Sequence, residues 1–211
     1  MTPLFRRVDT EEDLRFGIQK AALIIRSGGV VAFPTESFYG LGVSASDEKA
    51  IQHLFDIKKR EDDQPILLLI PSVSVLDQYV TRIPDIARQL MDEFWPGGLT
   101  LVFEAKPELS HLLTSGTGKI GLRLSTHPVA TALAQAVGSA ITGTSANTSG
   151  QPACSSAEAV LHSLGKSVDL IIDGGRTKGG KGSTVLDVTV DPLLVLREGM
   201  VSREQLKAYL D

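Results

Sequence analysis

Residues 30–42 read Val-Val-Ala-Phe-Pro-Thr-Glu-Ser-Phe-Tyr-Gly-Leu-Gly. The first four make a short apolar strand, stopped by Pro34. The rest reads as a turn whose glycines are free to take positive φ. Yet it crowds two hydroxyls, a carboxylate and a phenol beside a strand end, as a polar ligand contact does. Upstream, Thr10 with Asp13 resembles a capping box opening a helix that runs to Ser27 and stops at Gly28-Gly29. Downstream, Ala50, Ile51, Leu54 and Phe55 mark one face of a helix over residues 48–58.

Residues 66–70 form an apolar run typical of a strand buried on both faces. A helix over 83–94 follows, then strands over 99–103 and 120–124, a helix over 129–137 and an extended segment at 140–142. Ser155 and Ser156 open a helix to about Leu164. Strands are expected over 170–172, 185–190 and 193–196, and Ser202 with Gln205 caps a last short helix. This alternation predicts an α/β chain: one domain over residues 1–211, with a twisted mixed parallel/antiparallel sheet flanked by helices.

A chain of 211 residues suits one large domain. Its single cysteine, Cys154, excludes an internal disulfide and a multi-cysteine metal site, and fits a reducing compartment. The first residues lack the apolar core of a signal peptide, and no run approaches the roughly 20 residues that cross a bilayer. A cytoplasmic protein with no membrane partner is expected. The net charge of −4 does not advertise nucleic-acid binding. Basic residues nonetheless cluster at Lys58-Lys59-Arg60 and at Arg176, Lys178 and Lys181, where the plainest reading is solvated surface.

Gly175 to Lys181 has the spacing G-x-x-x-x-G-K, but Gly182 stands where a phosphate loop needs Ser or Thr, and no helix follows. A glycine-rich loop beside a ligand fits better. Residues 143–147, Gly-Thr-Ser-Ala-Asn, miss the last glycine of a nucleophile elbow, and none of the four histidines sits in a triad or metal motif. Ser145 and Asn147 instead offer a hydroxyl and an amide at a strand end, where α/β sheets bind ligands. Lys58 and Arg60 lie at a helix C-terminus, where cations complement the helix dipole. Three cations in a row before a buried strand also suit phosphate.

In sequence order the chain carries P-T-E-S-F-Y-G-L-G (34–42), K-x-R with Pro65, W-P-G-G-L-T (95–100), G-L-R with His127-Pro128, S-A-N-T-S-G (145–150), S-T-V-L-D (183–187) and R-E-G (197–199). These segments resemble the motifs of the YrdC-like family and span residues 34–199. The resemblance implies a YrdC-like fold with a concave basic groove. It also implies formation of threonylcarbamoyl-AMP and pyrophosphate from L-threonine, bicarbonate and ATP. By the same resemblance, Thr35, Arg123, Gly143 and Ser183 hold L-threonine. Lys58 and Arg60 are the catalytic cations and also bind ATP, together with Gln64, Lys119, Ser145, Asn147 and Arg197. Mg2+ accompanies ATP without a dedicated protein site. Other tRNA threonylcarbamoylation enzymes, and tRNA or RNA itself, are the implied partners.

The chain departs from the family pattern at Glu61, Leu69, Lys119 and Ala153. That leaves open a paralogue acting on another carboxylate substrate. Two further alternatives are a non-catalytic RNA-binding module, against which the lack of interleaved aromatics argues, and a carbamoyl transfer related to hydrogenase maturation. The extra C-terminal domain of longer relatives is not expected.

Overall fold

The computed structural model describes residues 4–59 and 65–210. The chain opens with β1 (Leu4–Arg7), α1 (Glu11–Arg26), β2 (Val31–Pro34), β3 (Tyr39–Gly42) and α2 (Glu48–Lys58). Next come β4 (Leu68–Leu69), a 3-10 turn (Val73–Gln78), α3 (Asp85–Phe94), β5 (Leu99–Glu104), α4 (His111–Thr114) and β6 (Lys119–Arg123). Then follow α5 (Pro128–Val137), β7 (Ile141–Thr142), β8 (Thr144–Ser145), α6 (Ala157–Leu164) and β9 (Leu170–Asp173). The last elements are β10 (Thr184–Asp187), β11 (Leu194–Arg197) and α7 (Arg203–Leu210).

Strand directions are mixed and helices flank the strands, as expected, but the strands form two sheets rather than one. The first has the order β1-β9-β2-β3-β8 and the second β11-β10-β5-β6-β4-β7. The apolar run at 30–33 is explained by burial on both faces. Val30 and Ala32 enter one core, with Tyr39, Leu41 and Phe103. Val31 and Phe33 enter another, with Ile25, Leu133 and Ile172. The same alternation sends Leu68 to the first core and Leu69 to the second.

Local signals explain the helix ends. The Thr10 hydroxyl accepts the Asp13 N–H at 3.1 Å and opens α1. Pro128 begins α5, where its missing N–H costs nothing. At α7 the box is reciprocal: Gln205 Oε1 accepts the Ser202 N–H at 2.9 Å, and Ser202 Oγ accepts the Gln205 N–H at 3.3 Å.

Three expectations are corrected, and one strand was not foreseen. Residues 39–42 are a strand, not a glycine turn, and pair antiparallel with β2. Their glycines serve close approach: a Cβ on Gly42 would lie 2.8 Å from Phe33 Cε1. The run at 66–70 contributes only Leu68–Leu69 to a sheet, since the Ile66 N–H turns to Leu113 O at 3.3 Å. The strand expected to reach residue 190 stops at Asp187, whose carboxylate accepts the Thr189 N–H at 2.9 Å and bends the chain. Finally, β1 gave no sequence signal.

Candidate active site

A cleft of about 340 Å3 takes its walls from both sheets. Tyr39, Gly40, Thr144 and Ser145 come from the first sheet; Arg123, Ser183 and Arg197 lie at strand ends of the second. The volume falls in the range of small-ligand sites, roughly 300–1,000 Å3.

The turn between β2 and β3 forms one rim. Thr35 donates both its N–H (3.1 Å) and its hydroxyl (2.6 Å) to Phe38 O, and accepts the Ser37 N–H at 3.3 Å. These bonds fix the Thr35 oxygen at the cleft. They also place Glu36 against Arg123, which ends β6. The two form an ion pair, with side chains only 8% and 5% exposed. Ser125 Oγ donates to the other Glu36 oxygen at 2.5 Å. Arg123 Nε meets no hydrogen-bond partner among the described residues. Burial first, and the like charge of Arg197 second, pull the Arg123 pKa down to about 10, so it remains a cation at neutral pH.

Arg197 is held by its own neighbours. Its Nη2 donates to Ser183 O at 2.9 Å and to Ser183 Oγ at 3.2 Å, and the Thr100 hydroxyl donates to Ser183 Oγ at 2.8 Å. The backbone crossing beneath this group is tight. A Cβ on Gly199 would sit 2.2 Å from Gly182 O, so only glycine fits. Gly143 is equally confined, with a Cβ position 2.7 Å from Leu67 Cδ1 and 2.8 Å from Leu69 Cγ.

Thr35, Arg123, Gly143, Ser145, Ser183 and Arg197 therefore meet at one cleft. Other expected site residues lie elsewhere. Lys58 is buried behind the cleft wall at 1% exposure; its ammonium donates to Ser145 O at 2.5 Å and Asn147 O at 2.8 Å. Asn147 is also buried, its amide nitrogen bonded to Thr148 O (3.0 Å) and Gln151 O (2.5 Å), while its Oδ1 has no partner among the described residues. Lys119 pairs with Asp187 at 2.7 Å. Burial pushes the Asp187 carboxyl up, but hydrogen bonds from Lys119 and Thr189 outweigh it and hold the group below the usual range. Arg60, Glu61 and Gln64 lie outside the described residues.

Sequence reasoning noticed a carboxylate in the 34–42 turn but assigned no task to Glu36, and it passed over Ser125. The signal available was their proximity in sequence to Thr35 and Arg123. The loop at 175–182 leads from β9 into β10 without a helix, and its Gly179 N–H donates to Ser37 O at 2.7 Å, which sets it on the rim. Tyr39 braces it by donating its hydroxyl to Gly175 O at 2.7 Å. Burial, then the charge of Asp173, push the Tyr39 phenol well above its ordinary range. Among the described residues no group of three or more His, Cys, Asp or Glu could hold a metal, and no helix is long and apolar enough to cross a membrane.

Known proteins share this architecture. A threonylcarbamoyl-AMP synthase of Bacillus subtilis is 40% identical over 194 residues, covering 92% of this chain and 56% of its own. The structure of Pyrococcus abyssi Sua5 complexed with L-threonine superposes with a TM-score of 0.92 at 36% identity, over 100% of this chain and 61% of that one. Escherichia coli YciO superposes with a TM-score of 0.85 at 32% identity, over 97% of this chain and 99% of its own. The chain thus spans little more than half the length of the first two relatives. Residues 23–199 match the Sua5/YciO/YrdC family model, described as telomere recombination, and the chain belongs to that family.

Proposed function

We propose that this chain is a threonylcarbamoyl-AMP synthase, joining L-threonine, bicarbonate and ATP. The observation that carries this reading is the convergence of two guanidiniums, Arg123 and Arg197, with the Thr35 and Ser183 hydroxyls at one cleft. The activity named for the Bacillus relative and the threonine in the Pyrococcus structure fit that chemistry.

The threonine amine condenses with bicarbonate to give a carbamate, and water leaves. A carbamate oxygen then attacks the ATP α-phosphorus, and pyrophosphate leaves. Anionic groups must approach one another, so fixed cations and preorganised donors supply most of the catalysis. No protein nucleophile is needed. In this reading Arg123 pairs with the threonine carboxylate, offering the guanidinium edge that Glu36 does not use. Thr35, Ser183 and the Gly143 backbone complete that end. Ser145 and Arg197 face the nucleotide, and the family motifs assign Asn147, Lys119, Arg60 and Gln64 to the same half. Mg2+ carried by the triphosphate would neutralise phosphate charge. The product would pass, in the cytoplasm, to partner enzymes that modify tRNA.

Purified protein is expected to release pyrophosphate only when L-threonine, bicarbonate and ATP are all present. Release independent of L-threonine, or none from folded protein, would remove the assignment. A second reading keeps the adenylation and replaces threonine by another carboxylate. It draws on Leu67 and Leu69, which press an apolar surface against Gly143. L-serine, L-valine and 2-hydroxy acids in the same assay separate the two.

A further inference from the structure

We infer that Lys58 is a positioning residue, which fixes the backbone of residues 145–149 and so sets Ser145 in the cleft wall. Lys58 is the last residue of α2, and three bonds stitch that helix end to the loop. Its ammonium donates to Ser145 O at 2.5 Å and to Asn147 O at 2.8 Å, while its own carbonyl accepts the Ser149 N–H at 2.8 Å. At 1% exposure the side chain lies in the protein interior, absent from the cleft lining that includes Thr144 and Ser145. On its other side the loop is tied to β3, where the Ala146 N–H donates to Tyr39 O at 2.8 Å. β8 is two residues long, and Asn147 closes a local ring onto Thr148 and Gln151.

A charged donor is suited to the task. Two carbonyls that point the same way need one donor with several protons, and bonds to a charged group are about twice as strong as neutral ones. Lys58→Met keeps the stem's bulk and leaves both carbonyls without that partner, so the loop, rather than the whole fold, should loosen. A phosphate contact and a loop clamp then predict different patterns. A phosphate contact is felt more with each phosphate added. A clamp acts through Ser145, so adenosine, AMP and ATP lose affinity by a common factor.

The experiment has two arms. Deuterium exchange in Lys58→Met should quicken at least about tenfold in residues 143–150 and stay unchanged in α1 and α5. Adenosine, AMP and ATP should each bind about tenfold more weakly by calorimetry, and Lys58→Arg should recover part of both losses. Unchanged exchange at 143–150 overturns the inference, and so does an affinity loss that grows from adenosine to ATP. The nucleotide arm rests on the proposed function and the exchange arm does not. If wild-type protein binds no nucleotide, that function fails while exchange still decides the role of Lys58. If Lys58→Met does not fold, wild-type protein is treated with acetic anhydride. Lys58 should then resist acetylation with and without ATP. Acetylation in the free protein, suppressed by ATP, overturns the clamp.

Discussion

Replacing Arg123 by methionine should unbalance the buried pair at the cleft. Both side chains are less than a tenth exposed, so solvent screens their attraction little. Removing one partner from such a pair costs about 3–5 kcal/mol, because the survivor stays buried and uncompensated. Two features point to the lower end. Ser125 still donates to Glu36, and loss of Arg123 relieves its repulsion with Arg197. The expected loss is therefore about 3 kcal/mol at neutral pH. For a chain of this size that lowers Tm by about 6–12 °C. Urea unfolding followed by circular dichroism measures it directly. The double variant Arg123→Met/Glu36→Gln should regain more than half of the stability, because no lone charge then stays buried. A loss under about 1 kcal/mol for the single variant, or a double variant no better than the single, would refute the reasoning.

Gly143→Ala should destabilise by about 1–3 kcal/mol through overpacking, since the added methyl meets Leu67 and Leu69 within 2.8 Å and Leu69 is only 1% exposed. Thermal unfolding checks it, and a change within about 0.5 kcal/mol would count against the packing account. Burial lowers the His127 pKa from 6.5, and its Nδ1 accepts the Val129 N–H at 3.2 Å to cap α5. The unfolded chain therefore takes the proton first. The stability linked to His127 is complete above the unfolded value and is lost as pH falls through the folded one. Tm measured from about pH 7.5 to 5 should fall more steeply in wild type than in His127→Asn, which can still cap the helix. Equal slopes would show that His127 does not govern this range.

The doubly buried strand β2 was legible because an uninterrupted apolar run at 30–33, bounded by Gly and Pro, has few other uses. β1 was not, because Leu4 and Phe5 are 48% and 43% exposed on a sheet edge and carry no burial pattern. The strand at 39–42 hid behind its glycines, whose role is contact with Phe33 rather than unusual φ. Division into two sheets depends partly on β4, β7 and β8, each two residues long and too short to show a period. At the site, Thr35, Arg123, Ser183 and Arg197 could be grouped only through the resemblance of their motifs to the YrdC-like family. The position of Lys58 could not, since its partners are backbone carbonyls 87 and 89 residues away, and any residue type supplies a carbonyl.

The chain passes from one sheet to the other at Gly143, with β7 on one side of it and β8 on the other. A single intervening residue leaves no slack. One residue added or removed between 141 and 145 would slip the register of β7 or β8 and turn the side chains of that strand to the opposite face. The segments at 105–110 and 175–182 put several residues between the elements they join, so a change of length there can be absorbed. Length variation in designed or natural variants should therefore gather in those segments, while the span from Ile141 to Ser145 keeps a fixed length even where its side chains change.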